Sequence, residues 1–170
     1  MSNSSHDFCL FCAVGQGEKA EQFVWQDDRV VAFLDLRPIR PGHVLVIPRE
    51  HHPYFVDLPE PLLAHIAVVG QKLARVVQEL SGVERIAFAF SGGDVAHAHA
   101  HVFPIHESSD MTSGREIVQQ DVTFAPRPKA SDEERSRWAE RICAGLAEAG
   151  FHQGSANADG AATERQRATG

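Results

Sequence analysis

The chain has 170 residues, 43 % of them hydrophobic, and a formal net charge of −7 with histidines counted neutral, which is room for one domain with a real core plus a tail. No stretch approaches the roughly 18 to 20 consecutive apolar residues that cross a bilayer, and the acidic balance excludes a broad basic surface for gripping nucleic acid. Neither a membrane nor a nucleic acid is therefore an expected partner, and an anionic ligand must be held locally.

Residues 1–8 read as a flexible N-terminus. Met1 to Asp7 has neither the basic start nor the following apolar block of a secretory signal, so the cytoplasm is the expected location. Cys9-Leu10-Phe11-Cys12 and the lone Cys143 make an odd cysteine count, which suits a reducing compartment better than a disulfide framework. Phe23–Gln26 and Arg29–Leu36 are apolar, β-branched or aromatic runs separated by Asp27-Asp28, the pattern of a hairpin. Two prolines and a glycine bend the chain over 37–42, and His43–Pro48 supplies a third strand.

Between Pro59 and Leu80 the residues Leu62, Ile66, Val69, Leu73, Val76 and Leu80 recur every three or four positions, the stripe of a one-sided helix with Asp57 near its N-cap. Arg85–Phe90 and Ala96–Ile105 read as two further strands, joined by the turn chemistry of Ser91-Gly92-Gly93-Asp94. Ser131-Asp132-Glu133-Glu134 has the form of a capping box, and Trp138, Ile142 and Leu146 follow at helical spacing, giving a helix over about 132–149. From Gln153 to Gly170 no apolar residue exceeds alanine, so 153–170 is expected to be a disordered tail. The elements add up to an α+β fold: an antiparallel sheet of about five strands, one long helix and a C-terminal helix. The domain is read as 9–106 with a C-terminal extension over 107–152.

Ten histidines are the outlying number, and they cluster at 43, 51, 52, 97, 99, 101 and 106. In a strand, alternate side chains face one way, so His97, His99 and His101 are expected to line one surface while Ala98, Ala100 and Val102 pack on the other. By spacing alone, a metal cluster and a nucleophilic site are equally good readings of that surface.

The string HAHAHVFP resembles the His-x-His-x-His-x-x signature of the histidine triad (HIT) superfamily. CLFC, AFLDL and RPIRPGHVLVIPREH precede it in the family's order, and together these pieces span roughly residues 9 to 106. The resemblance implies a HIT-like fold and a nucleotide hydrolase or transferase, in which the middle histidine, His99, attacks the α-phosphorus of a nucleoside 5′-phosphate derivative. A transient nucleotidyl-histidine forms, and an AMP-type mononucleotide is released. His101 and His43 are placed around the same phosphate. Asp35 is assigned to the ribose hydroxyls, and Leu10, Phe11, Val14, Phe33, Leu34 and Leu36 to the base of a purine nucleotide. The chain departs from the family before the triad. Gly93 stands where a glutamine is usual, offering a backbone N–H to the phosphate, and Asp94 stands where a serine faces the leaving group. A carboxylate there repels a phosphate unless it is turned away or paired. The basic residue that often follows the triad is also missing, with Ile105 after Pro104.

In a bacterial branch of the family a Cys-x-x-Cys pair joins two histidines around zinc. Here the set is Cys9, Cys12, His51 and His97, with His52 a rival to His51, and two thiolates with two imidazoles make a closed, structural site. The branch also implies a homodimer. Two rival activities stay open: hydrolysis of dinucleoside polyphosphates, and nucleotide binding with little turnover. A metal-dependent hydrolase is a third.

Overall fold

The residues of 30–34 and 44–48 are apolar at nearly every position, the composition of strands covered on both faces, and every one of them is buried. They form the centre of the sheet in the computed structural model, which describes residues 9–19, 21–91, 95–107, 110 and 128–151. The strands are β1 (Phe23–Gln26), β2 (Val30–Leu34), β3 (Val44–Pro48), β4 (Arg85–Phe90) and β5 (Ala100–Ile105), and the helices are α1 (Leu10–Gly15), α2 (Glu60–Ser81) and α3 (Asp132–Glu148). The five strands pair antiparallel in the order β1-β2-β3-β5-β4. The predicted α+β architecture is thus present. Residues 1–8, expected to be a flexible N-terminus, and 153–170, expected to be a disordered tail, lie outside the described residues, as does most of 108–127.

Local chemistry sets the element ends. Asp27 closes the β1–β2 hairpin as an Asx turn, its Oδ1 accepting from the backbone N–H of Arg29 at 2.9 Å and of Val30 at 2.8 Å. Its Oδ2 takes Trp25 Nε1–H and His65 Nε2, each at 2.8 Å, so a buried carboxylate is fully satisfied. Helix α2 begins after Pro59 rather than at Asp57. Asp57 instead ends a short 3-10 turn over Phe55–Asp57 and accepts from Tyr54 N–H, while Gly82 in the left-handed region ends the helix. For α3 the predicted N-cap is present, with Ser131 Oγ accepting from Glu134 N–H at 3.1 Å.

Period-two alternation divides the central strands between two clusters. Val30, Ala32, Leu34, Val44, Val46, Ala100 and Val102 face α2 and α3 and build the larger core with Ile66, Leu73 and Ile142. Val31, Phe33, Leu45 and Ile47 face the other way and pack under Phe11 and Val14 of α1. The sequence pattern gave no notice of α1. It is six residues long, and its Cys9 N-cap makes no side-chain capping bond. Packing on the sheet stabilises it, since an isolated helix this short is unfavourable.

Two contacts fix the loop before β3. Arg40 bonds Asp110 through Nε at 2.9 Å, and Gly42, at φ +89°, lies under the ring of Trp138 from α3.

Candidate active site and metal cluster

Strand β5 starts at Ala100, four residues later than the pattern predicted, so only His101 of the three histidines is in a strand. The cause is local. His97 N–H turns back to Val95 O at 2.9 Å, and Ala98 N–H bonds His52 O at 2.6 Å instead of a ladder partner. The rings still gather, with the His99 and His101 centroids 5.0 Å apart and Phe11 edge-on to His99 at 5.2 Å. Ala98, Ala100 and Val102 pack in the larger core as expected.

The hydrogen bonds set the proton positions. His99 Nδ1 lies 2.7 Å from the carbonyl oxygen of His97, and a carbonyl only accepts, so Nδ1 carries the proton and, in the neutral ring, Nε2 holds the lone pair. His43 is buried, and its Nδ1 accepts from Ile39 N–H at 3.1 Å. Neutral His43 is therefore protonated on Nε2 and donates to His101 Nδ1 at 3.0 Å. Asp35 Oδ2 is 3.4 Å from the same His43 Nδ1, and Oδ1 accepts from Arg37 N–H at 2.8 Å. An imidazole, a hydrogen-bonded histidine pair and a carboxylate are thus drawn together from β5, the β2–β3 connection and the segment before β5.

These groups border a cavity of about 590 Å³ walled by Leu10, Phe11, Val14, Phe33, Asp35, Leu36, His99 and His101. His43 stands behind His101. Leu34, grouped with the base-facing residues by the family resemblance, faces the opposite way with Val30 and Ala32 into the larger core, as alternation after Phe33 requires. Gly93 and Asp94 lie outside the described residues. Sequence reasoning missed Glu21, Arg37, Leu45, Ser91, Val95 and Lys129, which also line the cavity. Leu45 was discoverable, because it follows His43 by two in an alternating strand, but nothing local marks Glu21 or Lys129. A smaller cavity of about 290 Å³ shares Ser91, Val95 and His99 with the first and is otherwise walled largely by Tyr54, Phe55, Phe90 and alanines.

Cys9, Cys12, His51 and His97 bring one ligand atom each to within 4.8 Å of one another. His51 takes the fourth place, and His52 turns toward Glu50 instead, 3.7 Å away. Cys12 Sγ is 3.2 Å from His51 Nδ1, and both sulfurs are 3.5 Å from His97 Nδ1. Zinc–sulfur and zinc–nitrogen bonds of about 2.3 and 2.0 Å give tetrahedral edges of about 3.5 Å, so the donor set and spacing fit a zinc ion. His97 Nε2 donates to Pro48 O at 3.0 Å, which leaves Nδ1 as the ligand atom and orients its ring. Burial lowers His97 to about 4, with the neighbouring histidines adding to the effect, so the ring is neutral and ready to ligate. Burial and the adjacent Cys9 push the Cys12 thiol up to about 11, a thiol that surrenders its proton only to a cation.

The sheet and cleft define an α+β protein with closely set histidines on the cavity wall. The HIT domain model matches residues 16–108, and the chain belongs to that family, a group of nucleotide-binding hydrolases and transferases. It is 34 % identical over 115 residues to an uncharacterized HIT-like protein of Mycobacterium tuberculosis, an alignment covering 65 % of this chain and 80 % of that one. It is 25 % identical over 111 residues to adenylylsulfatase HINT3 of Arabidopsis thaliana, covering 62 % of this chain and 56 % of that one. The fold superimposes with a TM-score of 0.66 on a Zn-bound histidine triad family protein from Mycobacterium smegmatis, 28 % identical, covering 84 % of this chain and 95 % of that one.

Proposed function

We propose that the protein is a phosphoramidase-like nucleotide hydrolase, acting on the α-phosphate of purine nucleoside phosphoramidates or adenylated compounds. The observation that carries the reading is the His99 Nδ1 to His97 O bond at 2.7 Å, which leaves an Nε2 lone pair at a cavity that also contains Asp35. Nε2 attacks the α-phosphorus, the bond to the leaving atom breaks with its electron pair, and a proton from the His43–His101 pair neutralises the departing nitrogen or oxygen. Water then attacks phosphorus, its proton returning to the His43–His101 pair, and the His99–phosphorus bond breaks with its electron pair going back to Nε2, releasing a mononucleotide such as AMP. Asp35 accepts from the ribose hydroxyls, and Leu10, Phe11, Val14, Phe33 and Leu36 flank the base. The smaller cavity has no lysine or arginine among its described lining residues, which favours an uncharged leaving group over the nucleotide released from a dinucleoside polyphosphate.

Zinc at Cys9, Cys12, His51 and His97 is structural in this reading, since four protein ligands leave no open position. The chain works in the cytoplasm as a homodimer. Val68 and Phe88, apolar and exposed on α2 and β4, support an unpaired face. Residues 9–106 form the catalytic domain and 107–152 its extension.

The test is turnover of adenosine and guanosine phosphoramidates, with mass spectrometry of the peptide containing 97–101 for a nucleotidyl adduct. His99→Ala is expected to lower kcat at least about 10³-fold and to abolish the adduct. Retained turnover in that variant defeats the assignment.

A further inference from the structure

The proposed reaction leaves Glu21, Arg37 and Lys129 on the wall of the larger cavity with no part to play. Glu21 is the most firmly placed of the three. Its side chain is 7 % exposed, and Oε2 accepts from Arg135 of α3 at 2.5 Å, an arginine that is itself 8 % exposed. A buried ion pair of this kind is weak as a source of stability, because apolar groups of the same volume would serve as well. Its placement calls for another reason.

The sheet register locates Glu21 along the cleft. His101, Leu45, Phe33 and Phe23 are successive cross-strand partners on β5, β3, β2 and β1. They make one row, three interstrand steps of about 4.8 Å each. The histidines occupy the β5 end, where the phosphate belongs. Glu21 precedes Phe23 by two residues and stands at the β1 end, where a nucleotide lying along the row brings the edge of its base. A carboxylate can only accept. Guanine alone among the common bases presents two adjacent donors, N1–H and N2–H, whereas adenine sets the N1 lone pair beside its N6–H and would meet the carboxylate with repulsion. Lys129 lies on the same wall, in a segment tied to the cleft by Ala130 N–H donating to Leu36 O at 3.0 Å, and supplies a donor for the guanine O6.

We infer that this cleft selects guanine, with Glu21 accepting from the N1–H and N2–H edge and Lys129 donating to O6. The inference rests on the nucleotide-cleaving reading and narrows it to guanosine compounds.

Calorimetric titration of the full chain with GMP, IMP and AMP tests it, alongside turnover of the matching guanosine and adenosine phosphoramidates. GMP is expected to bind about tenfold or more tightly than AMP, as paired charge-assisted bonds imply, with IMP, which lacks the N2 amino group, between them. Glu21→Gln keeps a carbonyl for Arg135 but turns an amide N–H toward the base, and is expected to bring the GMP-to-AMP ratio near one. Lys129→Met, at an exposed position that does not threaten folding, is expected to weaken GMP several-fold and AMP less than twofold. Equal affinity of the unaltered protein for GMP and AMP, with turnover of both substrates, overturns the base selection alone. A preference for GMP that survives Glu21→Gln overturns it as well. Failure to bind or turn over any of them removes the enzymatic reading too.

Discussion

Replacing Gly42 with alanine probes how the C-terminal helix holds the loop that delivers His43. Gly42 has φ +89°, and an added Cβ would lie 2.8 Å from Trp138 Cζ3 and 3.0 Å from Cε3. The left-handed backbone costs an L-residue about 1–2 kcal/mol, and forcing a methyl into a packed ring about 1–3 kcal/mol. Gly42→Ala should therefore destabilise the fold by about 2–5 kcal/mol, a fall in Tm of roughly 5–15 °C for a chain of this size. Urea denaturation followed by tryptophan fluorescence measures it, with an unchanged m-value showing that stability rather than compactness has moved. The steric part belongs to the ring. Trp138→Ala in the Gly42→Ala background should restore about 1–3 kcal/mol relative to simple addition of the two single effects. Strict additivity, or a Gly42→Ala loss below about 0.5 kcal/mol, would refute the close approach of loop and helix.

Protein purified without chelator should carry one zinc per chain by elemental analysis, and Cys9→Ser or Cys12→Ser should lower both zinc content and Tm. Because zinc must displace the proton of a Cys12 thiol held at about 11, affinity should fall at least about tenfold per pH unit as pH drops, measured by competition with a chromophoric chelator. Burial pushes the Asp27 carboxyl up, but bonds from Trp25, Val30, Arg29 and His65 outweigh it and leave the group below its ordinary value. Its contribution is thus present above about pH 3.8 and lost as pH falls through the lower folded value, so Asp27→Asn should flatten the acid limb of a stability-against-pH curve in that window. Asp35→Ala should weaken mononucleotide binding about 10- to 100-fold and erase the difference between ribose and deoxyribose ligands, read by titration with both.

The fold was largely legible because its strands and long helix carry strong periods. Val30 to Leu34 and Leu62 to Val76 could hardly pack otherwise, and Ser131 with Glu134 announced its own cap. The segment from Ala96 to His99 misled because alternation cannot reveal that Ala98 N–H leaves the ladder for His52. Asp57 misled for a similar reason, since an aspartate caps a 3-10 turn as readily as a helix. At the site, the residues named by the family resemblance, His43, His99, His101 and Asp35, come together. Leu34 does not, because apolar composition identifies a strand but only register identifies its faces. Glu21 and Lys129 were invisible because they reach the cleft from the two ends of the chain and meet there only through tertiary packing.

His97 divides two duties between its main chain and its side chain. The ring sits among the thiols, yet the acceptor that fixes the proton of His99 is a peptide oxygen, which every amino acid brings to that position. A replacement at 97 can strip the cluster of a donor without deleting that acceptor. The reactive form of the neighbouring imidazole is therefore secured by the polypeptide itself and indifferent to residue type, while the metal-binding quartet depends wholly on which four side chains are inherited.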